Sequence, residues 1–436
     1  MNISGLSFNA LPPIDLPFRF FISAPLFMIA CAVLIFTFGE SLWLSRWQPS
    51  MLALTHGFTL GCLTMVMMGA LLQLLPVIGG IGIPKPRLVA TTSHSLYFLG
   101  VTALMFSFIS VKMWLLVSAL VLLTLAFTIY LTAVIWVLMK KMSQGDSINT
   151  FRLAIAAFVL VLILGVILLA SKVGFALPLS TLGKQLTDIH AVLGLVGWAS
   201  LLIIGVSFQV LPMFHVAPNM PKHIRKYLPA GISLLLLAFA LLGGNFLALI
   251  FIAHGLFALV LFHVINQRKR KVPDTSIKYW QLAASSLLVL NGLYFLPDSF
   301  YLTDNPILPF PLPDKAILLT AIFIYFNLLS VIQGMLLKIL PFLSYTHLQQ
   351  RCLIDFSAMQ HIPHMHEFLN KQHGLLLYYL HILSGLSLVG VTFVPSLYFI
   401  FSALLFIEFS WLLFLMIKCM RLYFSVDKKI NLSNTA

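Results

Sequence analysis

Long runs of apolar residues alternate with short polar segments along the whole chain, a pattern typical of a membrane-spanning helical bundle. A helix needs about 20 apolar residues to cross the hydrocarbon core of a bilayer. Twelve runs approach or exceed this length, and each is bounded by charged residues, prolines or Gly/Asn breaks. The predicted spans cover residues 17–39, 52–79, 88–110, 113–139, 152–172, 189–214, 227–243, 245–266, 279–297, 316–342, 373–391 and 394–418. The sequence therefore predicts an all-α polytopic membrane protein with about 12 transmembrane helices.

The composition excludes several classes of protein. Of the 436 residues, 60% are hydrophobic and 9% are charged, whereas soluble domains carry about 25% charged residues. A soluble enzyme, a nucleic-acid-binding protein and a disordered chain are therefore excluded. The four cysteines, at positions 31, 62, 352 and 419, form no CxxC motif, so neither a disulfide framework nor a thiolate metal site is expected.

The distribution of positive charge predicts the orientation of the chain. The net charge is +14, with 26 Lys and Arg residues. Twenty of these lie at the two termini and in the loops after even-numbered spans, and five lie in the loops after odd-numbered spans. Cytoplasmic loops are enriched in Lys and Arg. We therefore expect both termini to be cytoplasmic, including a tail at 425–436. The short loops, with no basic region or cleavage site at the N-terminus, favour an uncleaved protein of the bacterial inner membrane.

Three spans share a sequence repeat. Segments 69–76, 205–212 and 334–341 each read Gly-x3-[Gln/Lys]-x-Leu-Pro, and their glycines are 136 and 129 residues apart. They fall in the second, sixth and tenth spans, which predicts three parallel four-helix units at about 17–150, 151–272 and 273–424. The simplest interpretation is that the motif serves helix packing: the glycine lets a neighbouring helix approach closely, and the proline ends the span.

Histidines inside the spans are the main candidates for chemistry, because ionisable residues within a membrane are functional candidates by default. His56 and His190 open the second and sixth spans near the predicted outer surface. Three further candidates, His94, His254 and His381, lie inside other spans. Imidazole is the commonest metal ligand and binds haem iron directly. For any one of these residues alone, the simpler interpretation is a hydrogen bond between helices.

A second candidate site lies in the loop between the tenth and eleventh spans. His361, His364 and His366 are followed by Glu367. Imidazole and carboxylate groups together are suited to Cu, Ni or Zn. A polar loop at the membrane surface is the alternative interpretation of the same residues.

The arrangement resembles the haem–copper oxidase subunit I superfamily and its smaller NnrS-type relatives. The resemblance rests on the twelve spans, the cytoplasmic termini, the three units and the stretches 56–76 and 190–212. It implies a b-type haem and, as a second candidate, copper. His56 matches a span that supplies an axial haem ligand in the oxidases, and His190 matches a span that supplies a copper ligand. The other three histidines, at 94, 254 and 381, are substitutes for these positions.

The chain also departs from the oxidase pattern. The seventh and tenth spans should supply further histidines, but 227–237 and 321–330 contain none. The oxygen-reducing centre of the family is therefore incomplete, which argues against an oxidase activity.

Three functions agree with these observations. The first is a haem-binding protein, with copper as an alternative metal, that acts in nitric oxide tolerance or in respiratory haem and electron handling, with an electron-transfer partner. The second is a transporter for a metal or small solute, with a path between the repeats. The third is a cofactor-free assembly subunit of a respiratory complex. The scarcity of carboxylates inside the spans argues against an ion-driven transporter.

Overall fold

The computed structural model describes residues 12–110, 112–140, 144–175, 183–301, 313–352 and 356–433, and these residues contain helices and no β-strand. Twelve long helices lie within them. Their bounds are α1 Asp15–Phe38, α2 Pro49–Gly79, α3 Pro86–Ser110, α4 Met113–Leu138, α5 Asp146–Lys172, α6 Gly183–His215, α7 Lys222–Leu242, α8 Phe246–Asn266, α9 Thr275–Phe295, α10 Lys315–Arg351, α11 Lys371–Phe393 and α12 Tyr398–Ser433. Each predicted span lies on one of these helices, so the all-α fold is confirmed.

Eleven helices are long and apolar enough to cross a membrane. The exception is α9, which has 21 residues but contains Lys278, Gln281 and Asn291. It packs between α8 and α10, and its Tyr279 and Trp280 are buried there. Neighbouring helices thus cover most of α9. The protein is a multi-pass membrane protein in which the ninth predicted span is a largely covered helix of lower apolarity.

The outer faces of the bundle are apolar. Large hydrophobic side chains such as Phe36, Trp114, Leu160, Leu234 and Leu259 are exposed on different helices. Soluble monomers rarely expose contiguous apolar patches of more than a few hundred square ångströms. An outer surface of this kind is suited to contact with lipid.

Most consecutive helices pack on one another. Along the chain, α1 packs on α2, α3 on α4, α4 on α5 and α5 on α6; the order continues with α7 on α8, α8 on α9, α9 on α10 and α11 on α12. The last helix, α12, packs on α1. At this seam the Ser402 hydroxyl donates a hydrogen bond to the Ala32 carbonyl at 2.8 Å.

The three repeat helices share an interruption that their sequences do not predict. Each contains a π-helical segment, at Gly57–Thr64 in α2, Leu193–Ser200 in α6 and Phe323–Leu329 in α10. These segments begin 12, 12 and 11 residues before the repeat glycine. A π-helix is rare and often lies at functional sites, and here it recurs at corresponding positions of the three helices.

The repeat glycines permit close approach of a neighbouring helix. A Cβ atom at Gly69 would lie 2.8 Å from Phe20 Cβ on α1, and one at Gly205 would lie 2.9 Å from the Phe151 ring on α5. At Gly334 the nearest atom is Tyr279 Cβ on α9, at 2.6 Å. Each repeat helix thus packs through its glycine on the helix that precedes it in the chain.

The repeat helices also meet around a common apolar cavity of about 50 Å³. Equivalent residues of α2, α6 and α10 line it: Val66, Leu202 and Val331; Met67, Ile203 and Ile332; Ala70, Val206 and Met335. The three helices therefore stand around one axis and present matching faces to it.

The expectation that proline ends each repeat helix is wrong. α2 continues for three residues beyond Pro76 and ends at Gly80, whose φ is 67°. α6 continues for three residues beyond Pro212 and ends at Val216, whose φ is 52°, and α10 continues to Arg351. A proline removes one N–H donor, and a membrane helix tolerates that loss where neighbouring groups compensate. Left-handed residues end α2 and α6.

The residues predicted as a cytoplasmic tail at 425–436 are helical as far as the structure describes them. α12 continues as one helix to Ser433. Arg351, at the end of α10, makes a salt bridge with Asp427 at 3.1 Å. This contact holds the extension of α12 beside α10.

Candidate functional site

His56 and His190 lie next to each other. Their ring centroids are 6.5 Å apart, and the ring planes differ by 27°. His56 directly precedes the π segment of α2, and His190 lies three residues before the π segment of α6. Both side chains are half-buried. The fold thus brings together the two histidines that open the related spans.

Each ring of this pair is oriented by a backbone carbonyl. His56 Nδ1 lies 2.8 Å from the Leu52 carbonyl, and His190 Nδ1 lies 3.1 Å from the Val161 carbonyl on α5. A carbonyl accepts a hydrogen bond, so Nδ1 carries the proton in both rings and Nε2 keeps its lone pair. Within the described residues, neither Nε2 has a hydrogen-bond partner. Metal-bound histidines usually have this arrangement, with the second nitrogen donating to a carbonyl or carboxylate.

The separation of the two rings is compatible with one metal ion between them. Bonds of about 2.0–2.1 Å from a metal to two opposed imidazole nitrogens place the ring centroids up to about 6.4 Å apart. The observed 6.5 Å is close to this value. The pair thus presents two imidazole rings at this separation, each with an Nε2 that has no hydrogen-bond partner among the described residues.

The surroundings of the pair combine an aromatic ring, a closely packed glycine and an ion pair. The Phe108 ring on α3 lies 5.3 Å from the His56 ring. On the other side, Gly165 of α5 faces His190, and a Cβ there would lie 3.2 Å from His190 Cε1. Asp188, two residues before His190, makes a 2.8 Å salt bridge with Arg46 of the segment before α2. This ion pair links the beginnings of α2 and α6 beside the histidines.

The other three histidines inside spans have protein partners at Nε2. His94 Nε2 lies 2.8 Å from Ser23 Oγ. His254 bonds to Ser200 through Nε2 and to the Ile250 carbonyl through Nδ1. His381 bonds to Ser330 through Nε2 and to Glu408 through Nδ1. Neither His254 nor His381 has a free ring nitrogen in this arrangement, so both act as hydrogen-bonding residues between or within helices.

The three loop histidines lie in different backbone conformations. His361 ends a 3₁₀ turn at Phe356–His361, His364 has extended backbone, and His366 lies in the short helix Met365–Phe368. All three side chains are exposed. Among the described residues, no group of three or more His, Cys, Asp or Glu side chains could hold a metal ion. The backbone changes direction between the three histidines, which keeps them from converging.

A buried polar network surrounds Glu408, and the pattern of the sequence did not predict it. The Glu408 carboxylate accepts hydrogen bonds from the Tyr325 hydroxyl at 2.5 Å, the Gln333 amide at 2.5 Å and His381 Nδ1 at 2.8 Å. Tyr279 donates to Gln333 Oε1 at 2.9 Å. The feature of the sequence that could have indicated this network is the presence of Tyr325, Ser330 and Gln333 on the mostly apolar helix α10.

A second polar cluster lies where α6 and α10 approach the start of α9. Asp274 caps α9 through the Ser276 amide and makes salt bridges with Lys338, the polar residue of the third repeat, and with His215 at 3.8 Å. Burial raises the pKa of the Asp274 carboxyl, but Lys338, Ser276 and His215 together outweigh burial, so the pKa lies below its ordinary value. The ion-pair partner of Lys338 is therefore Asp274, which lies just before α9 and outside the repeat motif.

No protein-family model matches this chain, and no curated protein matches its sequence.

Proposed function

We propose that this protein binds a redox-active metal between His56 and His190, as haem iron or as copper, in a multi-pass membrane bundle of the oxidase-like or NnrS type. Its proposed setting is the bacterial inner membrane, with both termini cytoplasmic. There it acts in nitric oxide tolerance or in respiratory haem and electron handling, together with an electron-transfer partner.

One observation carries the proposal: two imidazoles on different helices, with each Nδ1 held by a carbonyl, have their centroids 6.5 Å apart. Imidazole nitrogen is a preferred ligand of iron, copper and zinc. Gly165 of α5 packs closely against the His190 ring, where an added Cβ would lie 3.2 Å from Cε1, and so fixes the position of this imidazole. When bound, the metal would supply electron transfer or binding of a diatomic gas.

The pair has two ligands, fewer than an oxygen-reducing centre needs. Two of the three substitute histidines, His254 and His381, already bond to protein groups through both ring nitrogens. These contacts support a binding or electron-handling function over oxidase chemistry.

The test is the absorption spectrum and metal content of the purified full-length protein, produced with adequate haem and copper. A Soret band with sharpened bands after reduction identifies haem, and stoichiometric copper without a Soret band identifies a copper centre. His56→Ala and His190→Ala should each abolish or shift the signal. His263→Ala is the matched control, because His263 is exposed on α8 and bonds to Gln267 of the following loop.

A purified protein that contains neither haem nor a stoichiometric metal would contradict the proposal. An absorption spectrum that neither His56→Ala nor His190→Ala changes would contradict it as well. The assembly-subunit alternative would then be favoured, and co-purification of partner subunits would test it.

A further inference from the structure

Six basic side chains are grouped where α7 begins and α8 ends. Two lie in the first two turns of α7 and four follow α8 directly: Lys222, Lys226, Arg268, Lys269, Arg270 and Lys271. Helices α7 and α8 pack on each other and are joined by the short break at 243–245, so they run antiparallel. The two groups of basic residues therefore lie at the same end of the bundle. We call these six residues the basic rim.

Hydrogen bonds hold the segment after α8 in a defined conformation. The Lys269 N–H donates to the carbonyl of Val216, the residue that ends α6, at 3.0 Å. The side chains of Arg268 and Lys271 donate to carbonyls of the last two residues of α8, at 3.0 Å and 2.6 Å. Cations are favourable at this end of a helix. The side chains of Lys269 and Arg270 are exposed and make no hydrogen bond within the described residues.

The positive charge of the basic rim is not balanced inside the protein. Within the described residues, none of its six side chains takes part in a salt bridge. Arg225, which lies between the two rim lysines of α7, pairs with Asp146 at 2.9 Å. The one acidic residue between α8 and α9 in the sequence, Asp274, pairs with Lys338. The basic rim is therefore left with a net positive charge that an external anion can neutralise.

The effect of this charge extends to the loop before α11. The pKa of His366 lies below its ordinary value, first because of partial burial and then because of the positive charges of Lys371, Lys338 and Arg270. Asp274 acts in the opposite direction but does not cancel them. Nearby positive charges disfavour a protonated imidazole. Arg270 thus stands in a region of positive potential that reaches beyond its own loop.

Exposed apolar and aromatic side chains border the basic rim. Tyr227, next to Lys226, is 62% exposed, and Val272, next to Lys271, is 48% exposed. Further along α7 the large exposed side chains are leucines, at positions 234, 237, 241 and 242. Tyrosine is enriched where the hydrocarbon core of a bilayer meets the lipid headgroups. The basic rim therefore lies at headgroup height, directly beside a surface suited to lipid chains.

From these observations, we infer that the basic rim binds the phosphate group of an anionic membrane lipid. Clusters of four to eight Lys and Arg residues beside membrane helices are suited to anionic headgroups. The guanidinium of Arg270 can donate two parallel hydrogen bonds to phosphate, and the ammonium groups of Lys226 and Lys269 add point charges. The lipid chains lie along the exposed leucines of α7. No covalent bond forms, and the site is separate from the His56–His190 pair, so it does not depend on the proposed metal.

The experiment is a lipid titration of the full-length protein in detergent, followed by native mass spectrometry. Phosphatidylglycerol and phosphatidylcholine with identical chains are compared at about 0.1 M salt. We expect phosphatidylglycerol to bind at least about tenfold more tightly. Lys226→Gln, Lys269→Gln and Arg270→Gln, made together, remove three exposed charges and no side-chain hydrogen bond of the described residues. This triple variant should weaken phosphatidylglycerol binding about fivefold for each charge removed and leave phosphatidylcholine binding unchanged, which also shows that the variant is folded.

The matched control removes the same charge from exposed positions spread along α12: Lys418→Gln, Arg421→Gln and Lys429→Gln. We expect this variant to bind phosphatidylglycerol like the wild type. Equal weakening by the two triple variants means a general attraction to positive charge and overturns the inference, as does equal affinity for the two lipids. Inorganic phosphate should displace the lipid no more than chloride at the same ionic strength. Displacement by phosphate alone means a site for free phosphate and also overturns the inference.

Discussion

At the scale of single residues, the histidines differ in what their second ring nitrogen contacts. A backbone carbonyl holds one nitrogen of His56 and of His190 and leaves the other unpaired among the described residues, whereas serine hydroxyls occupy Nε2 of His94, His254 and His381. Sequence alone cannot make this distinction, because Ser23, Ser200 and Ser330 are distant in the chain from the histidines that they contact. The sequence does mark His56 and His190 by their positions at the start of related spans.

Asp274 gives a prediction at this scale. The folded carboxyl has a pKa below that of the unfolded chain, so its contribution to stability is complete above the unfolded pKa of about 3.9. That contribution is lost as the pH falls through the folded pKa. Asp274→Asn should therefore lower the free energy of unfolding by about 1.5–3 kcal/mol at neutral pH. The difference between variant and wild type should shrink in acid.

Thermal unfolding in detergent at several pH values measures this effect. Asp298→Asn is a suitable control, since Asp298 makes a comparable salt bridge with Lys315 but is largely exposed. Exposed ion pairs contribute at most about 1 kcal/mol. Equal destabilisation by the two variants would show that the burial of the Asp274 cluster has no energetic consequence.

At the scale of helices, the predicted spans agree with the observed ones because long apolar runs are a strong signal. The π segments could not be predicted in the same way. Helices α2, α6 and α10 are apolar on most faces, so one extra residue per turn leaves no trace in the hydrophobic pattern. The predicted ends of α2 and α6 agree with the structure to within one residue, but the role given to the prolines was wrong, because the left-handed residues Gly80 and Val216 end these helices.

Gly334→Ala tests the packing of the repeat helices. A Cβ at this position would lie 2.6 Å from Tyr279 Cβ, and two backbone-anchored carbons cannot both remain. We expect a loss of about 1–3 kcal/mol in unfolding free energy from overpacking. The displaced Tyr279 should also alter the hydrogen bond to Gln333.

Gly231→Ala is the matched control on α7. No atom lies within 4 Å of the position that its Cβ would occupy, and its φ is not left-handed. Alanine is favoured over glycine within a helix by about 0.8–1.0 kcal/mol, so this variant should be neutral or more stable. The same melting experiment compares the two. If Gly334→Ala proves as stable as Gly231→Ala, α9 and α10 do not approach each other closely at this glycine.

At the scale of the whole molecule, the charge bias predicts which end of the bundle faces the cytoplasm. The four native cysteines are buried, so single cysteines introduced at exposed lysines report accessibility without interference. Lys269→Cys should react with a membrane-impermeant thiol reagent only after cells are permeabilised. Lys112→Cys, in a loop after an odd-numbered span, should react in intact cells. Labelling in the reverse order would invert the proposed orientation and place His56 and His190 on the inner side.

The axis of the bundle has an electrical consequence. Where α2, α6 and α10 meet, the cavity wall consists of Val, Leu, Ile, Met and Ala side chains around about 50 Å³. An ion that entered would have to shed its water and would find no oxygen or nitrogen among these side chains to replace it. At this level the axis therefore insulates, and a charge held in the molecule must lie elsewhere, among the polar side chains that do not line the cavity.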